Sequence, residues 1–179
     1  MYSIEKYTQD NRSLLIREAD GADAGKVLEF LAAISSETDF LSFGPGEFEL
    51  TEKQEFDYLE KCSNTDNSIY LLALLDEKIV GILFFEAGTR PRTRHAGEMG
   101  TSVLQVNWRM GVFSAILDSF LEWCRTGGVI KKINLKVRTD NYKAVNLYKQ
   151  KGFSIEGTLK KEMYIDGNYY DNFWMGLEL

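Results

Sequence analysis

The sequence predicts an α/β domain built on one mixed, mostly antiparallel sheet with a parallel central pair, flanked by about four helices. Three observations lead there. Short apolar runs of strand character alternate with amphipathic stretches of helical period. Most strand-to-strand connections are so short that only a hairpin fits them, which makes those pairs antiparallel. One helix joins two strands as a β-α-β crossover, and such a crossover makes its strands parallel. The 179 residues suit a single well-cored domain, so 1–179 is assigned as one unit. Two prolines and no Ser/Gly tract mark no linker.

The elements follow in order. "SLLIREAD" (Ser13 to Asp20) is the first strand. Asp20 or Gly21 opens a helix through "ADAGKVLEFLAAIS", with Val27, Leu28, Leu31 and Ile34 on one face. Gly44-Pro45-Gly46 punctuates the loop that follows. Thr51 and Gln54 form a capping box for "EKQEFDYLEKC". "SIYLLALL" and "KIVGILFFEA" are strands joined tightly at "DEK", and "RHAGEMGTSVL" is a weaker, glycine-rich strand. The helix "VFSAILDSFLEWCRTGG" ends on Gly127-Gly128. "KKINLKVRTD" alternates, placing Ile133, Leu135 and Val137 on one face. Asp140 or Asn141 caps the helix "NYKAVNLYKQ", and Gly152 closes it. "FSIEGTLKKEMYI" and "NYYDNFWMGLEL" form a last hairpin about Asp166-Gly167.

Composition removes several function classes. A net charge of −6 lacks the basic face of a nucleic-acid binder, and the one basic run, Arg90 to His95, sits in an acidic chain. No apolar run approaches the ~20 residues of a membrane span. The N-terminal segment is polar, without a signal-peptide core, so the expected location is cytoplasmic. A single histidine, His95, argues against zinc and against a histidine triad, so no metal is expected. Cys62 and Cys124 fall on helices without a metal-binding spacing and are expected as buried thiols.

The chemistry centres on two helix starts that follow neighbouring strands. In "VNWRMGVFSAIL", Gly111 opens a helix whose first amides have no partners within it and face the positive end of its dipole. Such a start suits a pyrophosphate, but many helices begin near a glycine and bind nothing, so both readings stand at this point. In "NYKAVNLYKQKGF", Asn141 and Tyr148 are about two helical turns apart, so both can face one cleft. Tyr148 reads either as a core tyrosine or as a general acid.

These segments carry a resemblance. "NYKAVNLYKQKGFSIEGT" resembles the N-x-x-A-x-x-L-Y-x-x-x-G-F-x-x-x-G signature of the GCN5-related N-acetyltransferase (GNAT) family. "VLQVNWRMGVFSAIL" aligns with that family's acetyl-CoA loop, and "YIDGNYYDNFWMGL" resembles the last hairpin of its ribosomal-protein and polyamine acetyltransferase subgroup. The resemblance implies an acetyl-CoA-dependent N-acetyltransferase in which a primary amine attacks the thioester directly. It also implies that the central strands splay to admit pantetheine. On this chain it places pantetheine pairing at Ser102 and Val103. It assigns the pyrophosphate to the amides of Arg109, Met110, Gly111, Val112, Phe113 and Ser114, the CoA arm to Asn141, and the acid that meets the departing thiolate to Tyr148.

Some positions depart from the family. Arg109 and Phe113 stand where it usually has glycine. Arg109 either supplies phosphate with charge or is a solvated loop residue, and Phe113 either blocks the helix start or turns its ring away. The alternative function is therefore a catalytically weak or inactive member of the fold that binds CoA or a partner. Glu98 is the candidate base, against a plain surface carboxylate, while Lys136 occupies the position where other members carry a glutamate. Glu37, Asp39, Glu47, Glu49 and Glu52 surround the first two helices, where the family binds its acceptor. An acidic wall there would favour a small cationic amine or a peptide N-terminus, and the rival reading is ordinary loop charge. The aromatic last hairpin (Tyr169, Tyr170, Phe173, Trp174) is either core or the edge of a homodimer.

Overall fold

The computed structural model describes residues 2–179. Its strands are β1 (Ser3–Tyr7), β2 (Ser13–Glu18), β3 (Ser68–Leu75), β4 (Lys78–Ala87), β5 (Ala96–Val103), β6 (Lys132–Arg138), β7 (Ser154–Ile165) and β8 (Asn168–Glu178). Its helices are α1 (Ala24–Ser35), α2 (Glu52–Ser63), α3 (Val112–Gly127) and α4 (Tyr142–Gln150). The strands form one 8-stranded sheet in the order β1-β2-β3-β4-β5-β6-β8-β7. β5 and β6 run parallel, as the crossover through α3 requires, and the other neighbours run antiparallel.

The sheet has one strand more than the sequence pattern indicates. β1, "SIEKY", pairs along its length with β2 and alternates exposed with half-buried residues. An edge strand has one neighbour and one lightly covered face, so it needs little apolar content and leaves a faint signal.

Local chemistry explains the boundaries. Thr51 and Gln54 cap α2 reciprocally, as their spacing predicts. The buried face of α1 carries Val27, Phe30, Leu31 and Ile34, while Leu28 is only half-buried at its margin. The helical stripe turns toward Phe30, which corrects the expected Leu28. β3 and β4 join through Asp76 (φ 49°) and Glu77 (φ 63°), a two-residue turn with both centres left-handed, as a tight hairpin demands. Gly128 (φ 67°) ends α3 and donates its N–H to the Cys124 carbonyl.

Two cores lie on opposite faces of the sheet. α3 and α4 cover one face, where Phe120 is fully buried with its ring 5.1 Å from Phe85 and 6.3 Å from Trp123. Burying a side chain of that size contributes about 2–3 kcal/mol. α1 and α2 cover the other face over Tyr70, Leu72 and Ile82. β3 between them is buried at every position. Cys62 and Cys124 are buried free thiols, pushed up by burial to about 11 and about 12, which suppresses the reactive thiolate. Among the described residues, no helix is long and apolar enough to cross a membrane, and no cluster of His, Cys, Asp and Glu could hold a metal ion.

Candidate active site

β5 and β6 pair only at Ala96↔Lys132, Gly97↔Ile133 and Glu98↔Asn134. Both strands continue, to Val103 and Arg138, but they no longer meet. The Asn134 side chain closes the joint by donating to the Gly97 carbonyl at 3.2 Å. Beyond it lies a cleft of about 1490 Å³ between the diverging strands and the starts of α3 and α4.

The β4–β5 ladder decides which backbone groups face this gap. Gly88 donates to Ala96 at 3.2 Å and Leu104 to Val80 at 3.0 Å, which brackets the pairing in an unbroken register. Bonded and non-bonded pairs alternate in an antiparallel ladder. The bonds to β4 therefore come from Glu98, Gly100 and Ser102, and the backbone groups of Met99, Thr101 and Val103 point to the gap. Ser102 lines the cleft, but its backbone is committed to Ile82 in β4. Among the described residues, the groups that face the gap without a partner are those of Thr101 and the Val103 N–H. The Val103 carbonyl already accepts from Trp108 Nε1 at 2.8 Å, an anchoring contact absent from the sequence-based site.

At the other end of the gap, Gly111 takes φ 85° and leads into α3 without any side-chain cap. Among the described residues, no acceptor takes the amides of Val112, Phe113 or Ser114, and all three residues line the cleft. Arg109 holds φ 63°, so the left-handed turn forms without the glycine usual there. Arg109 is exposed, has no ion-pair partner among the described residues, and lines the same cleft as those free amides. The Phe113 ring packs edge-on to Tyr148 at 5.5 Å, which leaves its amide open. Met110 faces away from the cleft. Its carbonyl accepts from Gln9 at 3.0 Å and its sulfur from Arg12 at 3.5 Å, so the β1–β2 turn braces the loop.

Asn141 caps α4 by accepting from the Ala144 amide at 3.2 Å, and it lines the cleft. Tyr148, 7% exposed, is wedged between Phe113 and Phe153, with no partner for its hydroxyl among the described residues. Burial pushes its phenol pKa up, so the O–H keeps its proton at neutral pH.

The sheet face under α1 and α2 supplies the remaining wall. Phe40, Phe43, Phe48, Tyr58, Tyr70 and Phe84 line it. Glu98, at the root of the split, acts on Lys136, which pairs with Glu162 at 2.7 Å. Arg138, 7% exposed, stacks on Tyr170 at 3.8 Å and on Phe40 at 4.7 Å. It grips Asp140 with Nε and Nη2 and donates from Nη1 to the Asp39 carbonyl. A guanidinium has five donors, so two N–H groups remain uncommitted. Asn172 sits opposite Arg138 in the β6–β8 ladder.

The acidic wall does not form, and the loop-charge reading holds. None of Glu37, Asp39, Glu47, Glu49 and Glu52 lines the cleft. Glu37 accepts from the Gln105 amide at 2.6 Å and Glu47 from the Gly44 amide at 2.8 Å, so these carboxylates serve loops. The basic run is likewise remote, with Arg94 paired to Asp66 at 2.6 Å. Tyr170 and Phe173 of the last hairpin are held within the chain, by Arg138 and by the core.

Three buried side-chain oxygens lack a hydrogen-bond partner among the described residues, Glu55 Oε1, Asn107 Oδ1 and Asn172 Oδ1, and all three belong to residues of this cleft. Buried polar atoms are almost always bonded in folded proteins, so water or a ligand entering the cleft finds acceptors at these three positions. Sequence reasoning missed Glu55, Trp108, Arg138 and Asn172.

The acetyltransferase (GNAT) family model matches residues 30–153. The chain belongs to the GNAT family. It is 37% identical over 117 residues to the L-amino acid N-acetyltransferase AaaT of Escherichia coli (strain K12), covering 65% of this chain and 72% of that protein. A GNAT-family acetyltransferase from Streptococcus pneumoniae is 37% identical and superposes with a TM-score of 0.89 over 93% of this chain and 99% of its own. The Salmonella typhimurium protein YncA, solved with its cofactor acetyl-CoA, shares the fold at 17% identity and a TM-score of 0.79, covering 93% and 94% of the two chains. As a GNAT member this protein is an N-acetyltransferase with acetyl-CoA as donor. Tyr148→Phe tests the acid. Turnover is expected to fall by about 100-fold, the low end of general-acid effects. Acetyl-CoA affinity, read by calorimetry, should stay within about threefold, and unchanged turnover would remove Tyr148 from the mechanism.

Proposed function

We propose that this GNAT enzyme acetylates the α-amine of a free amino acid. The single observation that carries the reading is Arg138, a buried guanidinium with two uncommitted N–H groups, beside Asn172 in a cleft lined by aromatic rings. A carboxylate matches that fork. The amine then lies over the split, and the side chain runs along the aromatic wall. AaaT, the E. coli relative, acts on L-amino acids by its name, which supports the same choice. This acceptor differs from the polyamine or peptide N-terminus that an acidic wall would suit.

The residues divide the work as follows. Thr101 and Val103 offer peptide groups to the pantetheine amides, as a further strand would. The amides of Val112, Phe113 and Ser114, with Arg109, hold the pyrophosphate at the α3 start. Asn141 offers its side-chain nitrogen to the CoA arm while its oxygen caps α4. An alkylamine is protonated at neutral pH, and Glu98 takes that proton before attack. Tyr148 donates its O–H to the departing sulfur. A thiol has a pKa of about 8.5, below that of the buried phenol, so Tyr148 stabilises the developing charge by hydrogen bonding more than by full proton transfer.

Thiol release from acetyl-CoA tests the acceptor. Amino acids such as phenylalanine are expected to exceed their decarboxylated counterparts, such as phenethylamine, by about 100-fold in kcat/KM. Equal turnover of the two, or preference for spermidine or a peptide N-terminus, would refute the assignment.

A further inference from the structure

The acceptor pocket has a second polar pole. Glu55 lies on the buried face of α2 with Leu59 and Cys62, a position where the helical stripe calls for an apolar residue. It is 2% exposed, lines the cleft, and its Oε1 has no partner. No cation of the described chain pairs with it. Lys61 on the same helix is taken by Glu86 at 2.5 Å, and Lys53 by Asp57.

Its setting is aromatic. Tyr58 meets Tyr70 edge-on at 6.2 Å, and Tyr70 stacks on Phe84 at 6.4 Å. Phe84 lies directly over Gly100, where an added Cβ would come within 2.4 Å of the ring. A row of rings therefore leads from β5, beside the gap, to Tyr58 on α2, the helix that carries Glu55. Arg138 and Asn172 lie on the opposite side of the gap, on β6 and β8. A buried carboxyl that lacks a donor, on a helix turn shared with Tyr58, selects a positively charged N–H group.

We infer that Glu55, with Tyr58 and Tyr70, binds a cationic N–H-bearing group at the end of the acceptor's side chain. This rests on the amino-acid reading and narrows it to basic amino acids of lysine or arginine type. The carboxylate sits at Arg138, the α-amine over the split, and the terminal cation at Glu55. The rings between them pack on the methylenes.

The test compares lysine and arginine with norleucine in thiol release by the wild type, Glu55→Gln and Glu55→Met, with mass spectrometry locating the acetyl group. The wild type is expected to prefer lysine or arginine over norleucine by at least about tenfold in kcat/KM, with acetylation on the α-nitrogen. Glu55→Met should reverse that order, and Glu55→Gln should reduce it. Acetyl-CoA titration and thermal unfolding establish that both variants are folded. Equal use of norleucine by the wild type, an unaltered order in Glu55→Met, or ε-acetyl-lysine as product would overturn the end-group site and leave the amino-acid reading intact. Turnover of simple amines with none of any amino acid would overturn both.

Discussion

Replacing Arg138 with methionine is expected to raise the acceptor KM by about 100-fold, equivalent to ~2.7 kcal/mol, with acetyl-CoA affinity within about threefold of wild type. Arg138 lies on β6 beyond the split, on the face that carries the acceptor wall, whereas the free amides and Arg109 lie at the start of α3. The two halves of the cleft should therefore respond separately. A stability cost accompanies the change. Asp140 loses its bidentate partner, and rings of Phe40 and Tyr170 lose the cation stacked on them. Asp140 is 43% exposed, so water replaces much of what it loses, and the cost is about 1–2 kcal/mol, visible as a lower urea midpoint. Lysine at this position keeps the charge but not the fork, so its KM should lie between the two. Steady-state kinetics with phenylalanine or lysine as acceptor decides the matter. A KM unchanged in Arg138→Met, with the protein folded, would remove the carboxylate from this site.

What the sequence revealed and what it concealed divides along locality. The Thr51–Gln54 cap, the Gly127-Gly128 stop and the alternating strands are set by near neighbours in the chain, and each formed where its pattern placed it. β1 escaped notice because an edge strand needs few apolar residues. The parallel pair was legible from its crossover. Which of its residues turn backbone toward the gap depends on the ladder with β4, a relation between distant segments, and so Ser102 gave way to Thr101. The charge pattern left two readings open, and the loop-charge one holds. Glu37 and Glu47 are close to the cleft in sequence, yet each is bent back to a loop amide. Arg109 adopts the left-handed turn where glycine is usual, and the Phe113 ring packs along Tyr148. Glu55 did leave a trace. A carboxyl in the Glu55-Leu59-Cys62 stripe contradicts the helix's own pattern, and a contradiction between local pattern and environment is where function tends to sit.

That contradiction has a thermodynamic consequence. Glu55→Met is expected to stabilise the free enzyme by about 1–3 kcal/mol at neutral pH, since it replaces a buried carboxyl without a donor by a side chain of similar length that needs none. The gain should depend on pH. Burial raises the Glu55 pKa, and the titratable groups coupled to it, Tyr58, Cys62 and Tyr70, are held neutral by burial and offer no charge to reverse this. A carboxyl with a raised folded pKa is no burden below the ordinary carboxylate range, where it is protonated in both states. As pH rises from the ordinary carboxylate range toward the raised folded value, the unfolded chain gains from ionisation and the native state does not, so wild-type stability falls. The difference between Glu55→Met and wild type should therefore be smallest near pH 4 and grow to a plateau above the raised pKa. Thermal unfolding from pH 4 to pH 8 measures it directly. Saturating basic amino acid should narrow the gap at neutral pH, because ligand supplies the missing donor only to wild type. A destabilised Glu55→Met, or a pH-independent difference, would mean that Glu55 has a partner in the free protein and contributes to the fold through it.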